Sequence, residues 1–305
     1  MEVFRKGKPI NKRRVLFVFC CCILPVINWL IFYVLANGSS FVMAFTNKEG
    51  AISLDNFVRF WNELNNPVSD IRIAIKNTFL TFAIIFVSYP FKVLVSYFIY
   101  KKVPGAGIYR ILFFLPSIIF GVALAMIFQQ IISVNGFIAK CVQDWLNLEQ
   151  PPELLADSRF ANTVVLLHMV WLAFPGDLII WGGTFSRIPT DVLEAGKIDG
   201  VNWWQEFTKI TVPMVWPTVA LQMVLMFCGI FGASGQVFLL TKGQYGTMTL
   251  SAWMYLQLLE GSGSQYSSNV YNYMSAVGLV LTVIAILLSL GIRRWTDRAF
   301  EEVEF

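Results

Sequence analysis

The sequence predicts an all-α integral membrane protein of six transmembrane helices, and three observations carry that prediction. First, 56% of the 305 residues are hydrophobic and 14% are charged, with a mean hydropathy of +0.63. Soluble domains carry charge on about a quarter of their residues, so there is too little polar surface here to wrap an aqueous globule of this length. Second, six apolar stretches approach the roughly 20 residues that cross a hydrocarbon core as a helix. Third, Lys and Arg divide unequally between the two sets of connecting segments. These properties exclude a soluble enzyme, a nucleic-acid-binding protein and a disordered scaffold.

The six stretches are Val15–Ala36, Asn77–Ile99, Ile108–Ile132, Thr163–Gly183, Val212–Gly232 and Tyr273–Ile292. At such lengths a helix is favoured because it satisfies every backbone group within the segment. The first stretch resembles a secretory signal in its basic flank and its small-residue ending, Val34-Leu35-Ala36. Its apolar run of 22 residues exceeds the roughly 7–15 of a signal core, so it reads as a retained anchor.

Fifteen Lys and Arg lie on one side: six between Arg5 and Arg14, then Lys101, Lys102, Arg110, Arg187, Lys197, Lys209, Arg293, Arg294 and Arg298. Seven lie on the other: Lys48, Arg59, Arg72, Lys76, Lys140, Arg159 and Lys242. Lys92 falls inside the second stretch and reads as a side chain snorkelling to the basic interface. The bias places both termini in the cytoplasm. Residues 1–14 then form a basic cytoplasmic segment, 15–292 a six-span domain and 293–305 a cytoplasmic tail. The external segments are 37–76, 133–162 and 233–272, the last with a Gly/Ser-rich run, Gly261 to Tyr266, that reads as a mobile loop. One His and five scattered Cys argue against a metal centre or a disulfide framework.

Residues 185–211 form a cytoplasmic loop unlike a plain connector. It sets Asp191, Glu194, Asp199 and Glu206 against three bases, and it reads as two short helices. Pro189 suits a first helical turn, and Asp191 suits the positive end of the helix dipole. Ile188, Val192 and Ala195 follow one apolar stripe. Gly200 suits a C′ position, and Asn202 with Gln205 has the form of a capping box. Trp203, Phe207 and Ile210 make a second stripe before Pro213.

At these residues the sequence resembles the type I ATP-binding-cassette (ABC) importer permeases. Glu194-Ala195-Gly196, three residues, Gly200, nine residues, then Ile210-Thr211-Val212-Pro213 looks like their EAA loop, departing at Gly196 and Val212. Asn77-Thr78, Phe114-Leu115-Pro116-Ser117, Trp171 to Pro175 and Leu239 to Gly243 look like the carbohydrate branch related to the maltose permeases. The resemblance implies a six-helix permease fold with coupling helices between the fourth and fifth spans. Glu194, Ala195, Gly196, Asp199 and Gly200 would contact a cytoplasmic ABC ATPase dimer. It also implies a second homologous permease subunit, an extracytoplasmic solute-binding protein, a sugar or oligosaccharide substrate and no nucleic-acid partner. The chain carries no G-x-x-x-x-G-K-[ST] phosphate loop, so no cofactor is expected on it, and ATP and Mg would bind the partner ATPase.

Ionisable residues inside spans are rare and often functional; here they are Lys92, His168 and Asp177. His168 suits an interhelical hydrogen bond. Asp177 follows Phe174-Pro175-Gly176, a kink that would free backbone carbonyls. In the resembling family sugar-lining positions cluster in the fourth and fifth spans, which implies Gly176, Asp177, Gly229, Ile230, Ala233 and Gln236. Asp177 suits a structural partner inside the bundle equally well, Gly229, Gly232 and Gly235 could serve close helix packing, and Trp171 and Trp181 suit an aromatic belt before a stack on a sugar face. A permease for a non-sugar solute and a secondary transporter are the alternatives, the latter lacking its usual related halves. A membrane enzyme finds no nucleophile with a base beside it.

Overall fold

The computed structural model describes residues 12–232, 235–261 and 267–299. The basic segment up to residue 11, the end of the tail from residue 300, Ala233 and the Gly/Ser-rich residues 262–266 lie outside the described residues. Six helical runs are long and apolar enough to cross a membrane: Phe17–Ala44, Asp70–Tyr100, Gly121–Leu146, Ala161–Phe185, Trp203–Cys228 and Asn269–Ala299. The described residues contain no β-strand, and an isolated bridge joins Thr46 to Ile52.

The chain divides into two compact units, Met1–Asn62 with Gly261–Val280, and Glu63–Glu260 with Leu281–Phe305. In the first unit, α1 (Lys12–Asn28), a π-helical stretch (Trp29–Leu35) and α2 (Ala36–Ala44) follow without interruption. A short loop then leads to α3 (Asp55–Asn65). The Asn56 amide donates to the carbonyls of Ala44 and Thr46, so α3 is tied to the last residue of the first span.

The second unit holds the other spans. α4 (Asp70–Tyr100) starts at Ser69, whose hydroxyl accepts from the Ile71 amide, with Asp70 in the first turn. α5 (Ala106–Ile118) and α6 (Gly121–Ile132) follow, then α7 (Phe137–Leu146) and α8 (Ala161–Phe185). Next come α9 (Thr190–Ile198) and a run made of α10 (Trp203–Gln205), a π-helical turn (Glu206–Thr211) and α11 (Val212–Cys228). α12 (Gly235–Thr241), α13 (Leu250–Gly261) and α14 (Ser267–Ala299) complete the order. α14 continues from one unit into the other.

Three sequence expectations change. The stretch Ile108–Ile132 is not one continuous helix. Ile119 and Phe120 adopt extended backbone with ψ of 137° and 131° and separate α5 from α6. Pro116, which lacks an amide hydrogen, weakens the last turn of α5, and the long apolar run is Gly121–Leu146 instead. The external segment after the fifth span, in which the sequence singles out only a loop-like Gly/Ser run, contains α12 and α13. Its turn from Lys242 to Leu250 is held by α4: Asn77 donates to the carbonyls of Gly246 and Met248, and the Leu250 amide donates to Thr78 Oγ1 at 2.8 Å. Finally, Trp181 is completely buried against Tyr89 and Phe185 and not in an aromatic belt.

The main core of the second unit gathers Tyr89, Val93 and Tyr97 of α4, Trp181 and Phe185 of α8, Ile188 and Leu193 beside and within α9, and Phe207, Val215, Val219 and Met223 of the following run. One apolar cluster therefore extends from mid-membrane to the α9 elbow.

Candidate functional site

The elbow forms where the sequence places it, with a different register. Pro189 is the N-cap, with an extended ψ of 132°, and α9 begins one residue later. Ile188 therefore precedes the helix and leaves the expected stripe: Ile188 and Leu193 are buried, whereas Val192 and Ala195 are exposed. Asp191 does occupy the first turn. At the other end, the amide of Val201 donates to the Gly196 carbonyl at 3.0 Å and that of Gly200 to the Lys197 carbonyl at 3.1 Å. This pair of bonds is a Schellman closure, and it needs the left-handed backbone that Gly200 supplies at φ +74°.

Asn202 and Gln205 then bond reciprocally, each side chain to the other's amide, at 2.9 and 3.1 Å. The helix they start is not a second short one: it continues from Trp203 to Cys228 as the fifth span. Pro213 removes the amide that would bond to the Lys209 carbonyl, and the π-helical turn lies where that ladder is interrupted.

Gly196 is buried, and a Cβ built there would lie 2.8 Å from Ile210 Cδ1. Glycine at this point lets α9 lie directly on the run that follows it. Phe207 lies tilted against Tyr97 with ring centroids 5.1 Å apart, and Trp203 lies 5.4 Å from Phe98. Lys101, just past α4, forms an ion pair with the largely buried Glu206, a contact the sequence did not signal. The outer surface presents Glu194, Ala195, Asp199 and Gly200, all exposed, with Ile198 at 86% exposure. Of the five residues expected at the contact, four face outward and Gly196 supports them from beneath.

Deeper in the second unit, Lys92 Nζ lies 3.5 Å from Asp177 Oδ2. Lys92 is 4% exposed, so it does not snorkel: its ammonium is held between α4 and α8 by the carboxylate and lies 5.9 Å from the centroid of the Phe174 ring. An isolated charge at this depth would be strongly disfavoured, and pairing is what makes it tolerable. Asp177 is about a quarter exposed. One to two turns along each helix, Ser96, Tyr100, Gly182 and Gly183 line a cleft of about 400 Å³ that Arg110 and Phe114 flank from α5.

The other expected lining residues lie on α8, at the end of α11 and on α12, and Ala233 is outside the described residues. Gly176 stays within α8, which is helical throughout. Gly229 caps α11 and Ile230 is buried, while Gln236 is half-buried on α12. A Cβ at Gly235 would meet nothing within 4 Å, and at Gly229 and Gly232 it would meet only carbonyl oxygens of the preceding turn, Leu225 O at 3.5 Å and Gly229 O at 3.2 Å, so none of the three is pressed against another helix among the described residues. His168 is 1% exposed against the Phe128 ring, and neither ring nitrogen has a hydrogen-bond partner among the described residues, contrary to the expected interhelical bond. No group of three or more His, Cys, Asp and Glu is placed to hold a metal among the described residues.

Residues 70–302 match the family model described as the binding-protein-dependent transport system inner membrane component. The probable ABC transporter permease protein YesP of Bacillus subtilis (strain 168) is 26% identical over 275 residues, covering 87% of this chain and 85% of the relative. The lactose transport system permease protein LacF of Rhizobium radiobacter is 23% identical over 269 residues, covering 87% and 85%. The maltose/maltodextrin permease MalF of Vibrio cholerae is 28% identical over 249 residues; the match spans 78% of this chain and 47% of MalF. Among solved structures, a chain of a bacterial ABC transporter that imports the acidic polysaccharide alginate superposes with a TM-score of 0.77 at 22% identity, covering 94% of this chain and 97% of that one.

Proposed function

Because this chain belongs to the binding-protein-dependent transport system inner membrane components, we propose that it is one permease subunit of an ATP-driven importer for a sugar or oligosaccharide. It supplies half of a translocation path, and a second, homologous permease supplies the other half. Its termini face the cytoplasm. A solute-binding protein delivers the substrate from outside, and an ABC ATPase dimer docks on the elbow.

The observation that carries the reading is the construction of that elbow. Two capped helical ends meet at Gly200, expose Glu194, Ala195 and Asp199, and are seated on Tyr97, Phe185 and Phe207 within the same apolar core as the spans. Such a joint can pass a displacement to the membrane helices without bending. The chain itself lacks a phosphate loop, so the energy must enter through a contact whose two arrangements an external ATPase biases. The sugar assignment is supported by the relatives named for lactose and maltodextrin transport.

The decisive experiment is Glu194→Lys in the assembled importer. Uptake is expected to fall while nucleotide hydrolysis continues, and less ATPase should co-purify. Unchanged uptake together with unchanged assembly would remove the coupling role.

A further inference from the structure

The chemistry of α3 points to a partner that the transport reading does not involve. The helix begins eleven residues after Ala44, the end of the first apolar run, and Asn56 clasps the carbonyls of Ala44 and Thr46. Phe57 packs on Phe45 with ring centroids 5.1 Å apart. These contacts fix α3 at the depth where the first span leaves the hydrocarbon. Its polar arc carries Asp55, Arg59 and Asn62, with the Arg59 guanidinium 4.1 Å from the centroid of the Tyr273 ring.

The apolar arc is wider than the protein covers. Phe60 is buried, yet Val58 and Trp61, with Leu54 just before the helix at the matching i, i+4, i+7 spacing, are 56%, 64% and 61% exposed, and Ile52 is 90% exposed. A helix with charge on one arc and Trp, Val and Leu on the other is the form that lies in a bilayer interface. Indole rings concentrate at that level.

We infer that α3 is an interfacial anchor: it lies in the plane of the leaflet at which the first span ends, with Leu54, Val58 and Trp61 inserted between the headgroups and the acyl chains. The occupant of this face is lipid and not the solute-binding protein.

The test uses the full chain in lipid nanodiscs with its five cysteines replaced by serine. Single spin labels are placed through Val58→Cys, Trp61→Cys and Asn62→Cys. The labels at 58 and 61 should collide preferentially with oxygen and be shielded severalfold from a soluble nickel chelate relative to the label at 62. Equal nickel access at all three positions would overturn the proposal. So would shielding that arises only when a solute-binding protein is added, which would make the face a protein-docking surface. Should the cysteine-free chain fail to fold, wild type and Trp61→Phe are compared in lipids brominated near the headgroup. Trp61→Phe should remove a quenched component of the fluorescence; identical quenching in both would also overturn the proposal.

Discussion

Lys92 and Asp177 show how one residue's meaning depends on what faces it. Each is a lone charge in an apolar stretch, and each has a separate reading in the sequence, one as an interfacial side chain and one as a lining residue. In three dimensions they are halves of one contact, 85 residues apart in the chain. Asp177→Leu would strand the Lys92 ammonium, at a cost below the roughly 3–5 kcal/mol typical of a fully buried pair, because Asp177 is partly open. The double variant Lys92→Met/Asp177→Leu should recover thermal stability in nanodiscs. If uptake recovers with it, the pair is structural; if stability returns and uptake does not, Asp177 also lines the path. Gly200 offers a simpler case. Its φ of +74° costs any residue with a Cβ about 1–2 kcal/mol. Gly200→Ala should speed proteolysis between Ile198 and Trp203 while the spans remain folded.

At the scale of elements, the elbow is bound to α4 by two kinds of contact, the apolar packing of Phe207 on Tyr97 and the Lys101–Glu206 ion pair. Under the transport reading, Glu206→Gln should leave the ATPase bound yet reduce uptake, since the outward surface of α9 is unchanged. The charge-reversed pair Lys101→Glu/Glu206→Lys should restore uptake in part. Restoration by neither the reversed pair nor Glu206→Asp would show that the contact transmits nothing. Glu206 was visible in the sequence only as one of four acids in the loop. Its partner lies beyond the second span, and no local spacing connects the two.

On the scale of the whole molecule, the parts legible in the sequence are those set by one-dimensional physics. Long apolar runs must be helical in a bilayer, so the spans at α4, α8 and α14 were readable as elements, closely at both ends of α8 and at the end of α4, whereas α4 begins and α14 begins and ends about two turns beyond the apolar stretch. Local capping was readable as well, because Asn202 finds Gln205 three residues away and Gly200 closes α9 by itself. The break at Ile119–Phe120 was hidden because both residues are as apolar as their neighbours, and nothing in composition separates α5 from α6. The hold of Asn77 on Gly246 and Met248 spans about 170 positions, beyond any local pattern. The missing phosphate loop carries a whole-molecule prediction: purified alone, the chain should release no phosphate from Mg-ATP above an empty-nanodisc control.

The three polar contacts of α4 have a joint consequence. Asn77 grips a turn near one tip, Lys92 is fastened to α8 midway, and Lys101 is tied to the elbow just past the other tip. At 1.5 Å per residue the outermost two are about 36 Å apart. A rod pinned at three heights cannot slide lengthwise past one neighbour without dragging the others. Under the transport reading, a push arriving at the elbow is expected to reach the far turn as well, as in a piston and not a spring.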